Sequence, residues 1–311
     1  MTVDLPLIPA APDGFRSGFV AIIGRPNVGK STLMNQLIGQ KIAITSPVAQ
    51  TTRNRLRGIL TLPQAQIIFV DTPGIHKPHH QLGQILVQNA RSAIDAVDQV
   101  LFVVDGSVPM GKGDRYIASL LEAAKTPVIL GLNKIDQQSP QQRLSLEASY
   151  EDLVPASLPW ILTRFSAIAN TGLEDLQDQL WRQLPLGPYY YPPDLVTDQP
   201  ERFIMGELIR EQVLLLTREE VPHSVAVVID RVEEEDPLTR VLATIHVERK
   251  SQKGILIGKQ GSMLKAIGSA ARQQIQKLIA GRVYLELFVK VQPKWRYSRL
   301  RLAELGYRND P

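Results

Sequence analysis

The chain has 311 residues, enough for two domains of ordinary size, and its 44 % apolar and 21 % charged residues fit globular proteins rather than disordered ones. It has no cysteine, which excludes disulfides, thiolate catalysis and cysteine-based zinc sites, and no apolar run nears the roughly 20 residues of a membrane span. The net charge of +4 is uneven: residues 248–308 hold fourteen Lys and Arg against three Asp and Glu, whereas residues 201–247 hold five against ten. A basic block of that kind points to a polyanionic partner.

Residues 1–15 read as a flexible arm without the basic-then-apolar order of a signal peptide, and a cytoplasmic monomer is expected. Residues 16–187 alternate apolar strand patterns with helical ones. The strand patterns are FVAIIG (19–24), AQIIFVD (65–71), QVLFVVDG (99–106), PVILGLNKID (127–136) and WILTRFSA (160–167). A helix is predicted over 82–97 from apolar spacings of three and four. Such alternation predicts an α/β domain with a mostly parallel sheet and helices on both faces. Ligands bind at the carboxyl ends of such strands.

The first strand ends in GRPNVGKS, which fits G-x-x-x-x-G-K-[ST] between a strand and a helix. Backbone N–H groups of Gly24, Arg25, Pro26, Asn27, Val28, Gly29, Lys30, Ser31 and Thr32 (proline excepted) are placed to cradle phosphates at a helix N-terminus. Lys30 supplies charge to the β- and γ-phosphates, and the Ser31 hydroxyl is a Mg²⁺ ligand. DTPG, residues 71–74, ends a second strand: Asp71 is placed to hold Mg²⁺ through water and the Gly74 N–H to meet the γ-phosphate, with Thr72 and Pro73 counted in the nucleotide-binding set. NKID, residues 133–136, ends another. The carboxylate of Asp136 matches the N1–H and N2–H₂ donors of guanine, which adenine lacks. Asn133 is read as a base contact, the Lys134 stem as a cover for the ring, and Ser166 with the Ala167 N–H as the contact to guanine O6.

ITSPVAQTTRNRLRG lies between the first helix and the next strand. Thr51 and Thr52 both qualify to close the Mg²⁺ shell when a γ-phosphate is present, with Thr52 the choice. After the DTPG glycine stands Ile75, where a water-orienting glutamine is found in Ras-like enzymes. Lys30, Thr52, Asp71 and Gly74 are the expected catalytic set. Asn27 is a candidate K⁺ ligand, and the hydrolysis expected is slow, Mg²⁺-dependent and K⁺-stimulated.

Residues 188–202 read as a proline-rich linker or wrapping segment, with the tyrosine triplet at 189–191 expected to pack against one of the two domains. Residues 203–311 predict an α-β-β-α-α-β domain with a basic tail. In it GKQG, residues 258–261, lacks the K-[ST] that catches Mg²⁺ and sits between helices. That setting resembles the GxxG loop of a type II KH domain, over which a nucleic-acid backbone passes closely. Ile257, Gly258, Lys259, Gln260, Gly261 and Lys265 are the candidate RNA contacts.

GRPNVGKSTLMNQLIGQKIAITSPVAQTTR, DTPGIHKP, NKID, FSAIANTG and GILIGKQGSMLKAIGSAAR together resemble the Era family of bacterial GTPases along nearly the whole chain. The resemblance implies GTP and GDP as ligands, Mg²⁺ as cofactor, and the 3′ end of 16S rRNA in the small ribosomal subunit as partner. It also implies a role in 30S subunit assembly and rRNA maturation, and peripheral contact with the cytoplasmic side of the membrane. An RNA-binding chaperone with an incidental GTPase is the alternative. The N-terminal arm and the acidic run at 233–236 have no role in this scheme.

Overall fold

The computed structural model describes residues 8–48, 51, 56–72, 74, 94–124, 126–154 and 158–307. The predicted helix over 82–97 falls largely outside them, as do Thr52, Pro73 and Ile75. Two compact units are present.

The first unit is built on a six-stranded sheet of order β2-β3-β1-β4-β5-β6. Its strands are β1 Arg16–Ile23, β2 Leu56–Leu62, β3 Ala65–Asp71, β4 Gln99–Asp105, β5 Val128–Asn133 and β6 Ile161–Arg164. All neighbours are parallel except β2, which pairs antiparallel with β3. β2 is not among the sequence-predicted strands: Gly58 and Arg57 interrupt its apolar pattern, and the stretch reads as the end of a loop. β3 is buried along its whole length, as a strand covered on both faces must be. The helices are α1 Lys30–Ile38, α2 Lys112–Glu122, α3 Pro140–Glu151 and α4 Leu173–Gln183. The strand order reverses beside β1, which opens a crevice at the carboxyl ends of β1 and its neighbours.

Both flanking stretches pack against the first unit. Phe15, assigned to the loose arm, is buried and lies 4.3 Å from the ring of Tyr189. The proline-rich segment wraps the first unit. The Gln66 amide oxygen accepts from Tyr190 N–H at 2.8 Å and Tyr191 N–H at 3.0 Å, while its nitrogen donates to Tyr191 O at 2.9 Å. Ile59 N–H donates to Val196 O at 2.8 Å.

The second unit runs α5 Glu201–Leu216, α6 Val221–Ser224, β7 Ala226–Glu235, β8 Leu238–Val247, α7 Lys250–Ile257, α8 Ser262–Leu278, β9 Arg282–Val291 and α9 Arg299–Glu304. β7 and β8 are antiparallel, and β8 and β9 parallel. Glu233, Glu234 and Glu235 of the acidic run lie within β7. Val241, Ala243, Ile245 and Val247 alternate along β8 onto one face. They pack in one core with Leu208 and Ile209 of α5 and with Ile267, Ala271 and Ile275 of α8. Each of the valine, leucine and isoleucine side chains among them, fully buried, contributes about 1.5–3 kcal/mol.

Residues Ile44–Thr51, which follow α1 in sequence, belong to this second unit. Asn35 shapes the turn from which they depart: its side-chain oxygen accepts from Ile42 N–H at 3.0 Å and Ala43 N–H at 2.9 Å. Ile44 is buried in the second unit's core, with Val48 packed against it. Thr45 N–H donates to Glu211 Oε1 at 2.8 Å. The fully buried guanidinium of Arg210, ion-paired with Glu207, donates to Thr51 O. Burial opposes the charge of Arg210, and Glu207 outweighs it, so its pKa is raised.

Candidate functional site

The loop after β1 turns into α1 through Gly29 at φ 98°. A Cβ there would stand 2.3 Å from Asn133 Nδ2, so only glycine fits both the backbone and the space. Lys30 is buried, and its ammonium donates to Gly24 O at 3.2 Å and Arg25 O at 3.0 Å. Burial pushes its pKa down to about 8, with the nearby Asp71 carboxylate opposing. A cation so poorly solvated is poised to gain from an anionic ligand.

Ser31 Oγ donates to Asp71 Oδ2 at 2.7 Å. Asp71 is brought there by β3, whose Asp71 pairs in register with Ile22 near the end of β1. Two hard oxygens converging beside a phosphate loop fit Mg²⁺, which takes few protein ligands and completes its shell with water and phosphate. Among the described residues no group of three or more His, Asp or Glu side chains is placed to hold a metal ion. Gly74 is buried against the loop: a Cβ on it would lie 2.7 Å from Pro26 N. Thr72 Oγ1 donates to Ile22 O at 2.9 Å. Asn27 stands exposed at the loop tip with φ 64°.

The base-recognition residues converge from two other strands. Asn133 also has a structural part. Its amide nitrogen donates to Val28 O at 2.8 Å, and its oxygen accepts from Lys134 N–H at 2.8 Å and Ala167 N–H at 3.0 Å. It therefore ties the phosphate loop to the loop after β6. In this structure the Ala167 N–H is committed to Asn133. Ser166 Oγ donates to Asp136 Oδ1 at 2.5 Å and so orients the carboxylate. Lys134 takes a left-handed backbone and pairs with Asp105 at 2.6 Å.

Asp105 is a site residue that sequence reasoning misses. It ends β4 opposite Asn133 in the parallel β4–β5 register. Burial pushes its pKa up, but the hydrogen bonds from Lys134 and Ser107 outweigh this and hold the carboxyl below its usual range. Arg25 is likewise fixed, its Nε 2.7 Å from Asp114 Oδ1. The only signal for either is an acidic residue near a strand end or in the first turn of a helix.

In the second unit α7 ends at Gly258, with φ 71° and ψ 177°. A Cβ there would lie 2.7 Å from Met263 Cβ. Lys259–Gly261 form one tight turn into α8. Lys259, Gln260 and Lys265 are placed at or near the surface, with Ile257 half-buried. Nothing lies within 4 Å of a Cβ built on Gly261, which leaves the loop open to close approach.

A phosphate loop with Mg²⁺-type oxygens and a guanine-matched carboxylate, followed by a GxxG loop on an α+β unit, defines a P-loop GTPase joined to a KH domain. Residues 19–134 match the family described as "50S ribosome-binding GTPase" and residues 220–296 match "KH domain". The chain is 74 % identical over 301 residues to GTPase Era of Nostoc sp. (97 % of this chain, 92 % of that protein) and 70 % identical over 305 residues to GTPase Era of Rippkaea orientalis (98 % and 96 %). A single-residue variant of Aquifex aeolicus Era bound to GDP·AlF₄⁻ superposes with a TM-score of 0.90 at 38 % identity, covering 94 % of this chain and 99 % of that one. Era in complex with MgGDPNP and nucleotides 1506–1542 of 16S ribosomal RNA also gives 0.90, at 39 % identity and the same coverage. The chain belongs to the Era family of GTPases.

Proposed function

We propose that the chain is a GTP-driven switch that binds the 3′ end of 16S rRNA through its KH domain and promotes small-subunit assembly. The observation that carries it is the pairing of a guanine-matched phosphate site with a GxxG loop in one chain. The structural relative solved with MgGDPNP and 16S rRNA nucleotides supports the choice of RNA.

In this reading Lys30 and the loop N–H groups hold the phosphates, and Asp136, oriented by Ser166, selects guanine. Ser31 and Asp71 would hold Mg²⁺, which neutralises charge on the β- and γ-phosphates. Thr52 and Gly74 complete the γ-phosphate contacts. With isoleucine at position 75, the attacking water is positioned by backbone groups, and Asn27 supplies a K⁺ ligand that raises a slow rate. Gly258, Lys259, Gln260 and Gly261, with Ile257 and Lys265, line the RNA contact. Ile44–Thr51 precedes Thr52 directly and packs in the second unit, so a γ-phosphate that claims Thr52 would pull on a segment the RNA-binding unit holds. The protein acts as a cytoplasmic monomer with peripheral membrane contact; no helix among the described residues is long and apolar enough to cross a membrane.

Crosslinking the cellular protein to RNA, with and without a non-hydrolysable GTP analogue, tests the reading. Reads concentrated at the 3′ end of small-subunit rRNA and altered by the analogue are expected. Reads spread over unrelated RNAs would overturn it. A Lys30→Ala strain that retains full function would favour a chaperone whose GTPase is incidental.

A further inference from the structure

In the second unit α5, α7 and α8 pack on one face of the sheet, and the other face is open except at one end, where the C-terminal segment lies beside it. Along β9 the side chains of Tyr284, Glu286, Phe288 and Lys290 alternate onto the open face, while Leu285, Leu287 and Val289 turn to the core. Tyr284 is 48 % and Phe288 49 % exposed. Large aromatics left half in water in mid-strand have no role in the core. The GxxG loop and α8 lie on the opposite face, where a Cβ on Gly268 would lie 3.4 Å from Leu287 Cδ1.

At one end of the open face is a cavity of about 380 Å³ between the sheet and the C-terminal segment. His246, Lys290, Gln292, Arg301 and Glu304 line it together with apolar side chains that include Val228 and Leu305. Lys290 pairs in register with His246. His246 is 8 % exposed, and its Nδ1 has no hydrogen-bond partner among the described residues, an arrangement that costs energy unless a ligand supplies the bond. Burial, followed by the opposing bond to Gln292 and the charge of Lys290, leaves the imidazole pKa lowered. A neutral ring suits the edge of a nucleobase better than a phosphate. Glu304 is held by Arg301 at 2.7 Å, and Lys290 is exposed beside the cavity.

We propose that this open face is a second single-stranded RNA subsite: one base enters the His246 cavity, the neighbouring base stacks on Phe288, and Lys290 meets the phosphate between them. Phe288 pairs with Thr244 and Lys290 with His246, so Phe288 and His246 are diagonal neighbours on one face, roughly 8 Å apart, within the reach of adjacent bases in an extended strand. Beside the cavity Lys290 offers a phosphate its charge, while His246 Nδ1, unpartnered among the described residues, and the exposed Phe288 ring match the edge and the face of a base. Glu286, between the two aromatics, keeps phosphates toward the Lys290 end. Bases stack on aromatic rings without strong sequence preference. The inference rests on the RNA-binding reading of the chain.

The test uses the full chain with two RNAs carrying 2-aminopurine: one of about four nucleotides, enough for a GxxG loop, and one of about twelve. Phe288→Ala and His246→Gln should leave the short RNA bound as before. They should weaken the long one about tenfold each and reduce its 2-aminopurine quenching. Thermal melts check that both variants fold. If both variants bind both RNAs with wild-type affinity and quenching, the subsite is wrong. If the wild-type chain binds neither RNA, the RNA reading fails with it.

Discussion

Lys30 offers a sharp test of the phosphate site. Its ammonium is fully buried, and its pKa is pushed from 10.5 to about 8. At about 1.4 kcal/mol per tenfold change, the nucleotide-free fold bears roughly 3 kcal/mol for keeping this charge at neutral pH. The sign follows from proton counting. Below pH 8 the lysine is charged both folded and unfolded, and the whole cost is present. Between pH 8 and 10.5 the unfolded chain holds the proton and the folded chain does not, so stability rises with pH. Phosphate oxygens reverse the preference by giving the ammonium a partner. Nucleotide binding must then take up a proton above pH 8. At pH 8.5 about three-quarters of the free protein lacks that proton, so GDP binding should take up about 0.7 proton per site. Calorimetry in two buffers of different ionisation enthalpy measures this directly. Lys30→Met should abolish the uptake, weaken nucleotide binding severely, and flatten the rise in stability of the nucleotide-free protein between pH 8 and 10.5. Proton uptake near zero at pH 8.5 in the wild type would refute the argument.

Other outcomes follow from single contacts. Asp136→Asn replaces a double acceptor with one acceptor and one donor, which suits xanthine rather than guanine; GTP affinity should fall at least about a hundredfold, with XTP bound in its place in a competition assay. Asn133→Ala cuts the bonds to Val28 and Ala167 together. At about 1–3 kcal/mol for each buried group left unpaired, the first unit should melt earlier in a thermal scan and bind GDP at least about tenfold more weakly. Glu211→Ala removes the acceptor of the Thr45 amide, whose hydrogen exchange should speed up about tenfold or more, while exchange in the β8 core stays unchanged.

The nucleotide site is legible because its chemistry is local: a strand end, a glycine loop and the next helix turn are written consecutively in GRPNVGKS. The GxxG loop is legible for the same reason, with the order of elements around it. The parts that escape depend on partners distant in sequence. The motif marks Asn133 as a base contact but not as the side chain whose amide joins the carbonyl of Val28 to the N–H of Ala167, a link that exists only once three strands align. Asp105 looks like a plain strand end until the β4–β5 register sets it beside Asn133. β2 is hidden because Gly58, where a Cβ would meet Ile38 Cδ1 at 2.2 Å, breaks the apolar alternation to let α1 pack closely. Ile44 could not be assigned to the second unit's core, because an isoleucine after a helix carries no mark of the partner it will meet.

The coupling of the two loops is the central claim, and one measurement reaches it. The affinity of the full chain for RNA matching the 3′ end of small-subunit rRNA is measured with GDP and with a non-hydrolysable GTP analogue, at fixed salt. The ratio is then compared with the change in nucleotide affinity that the RNA causes. Linkage requires the two factors to be equal. A switch predicts a ratio of about fivefold or more, matched in the reciprocal titration. Equal RNA affinity in both nucleotide states would contradict it, leaving a GTPase and an RNA-binding domain that share a chain without instructing each other.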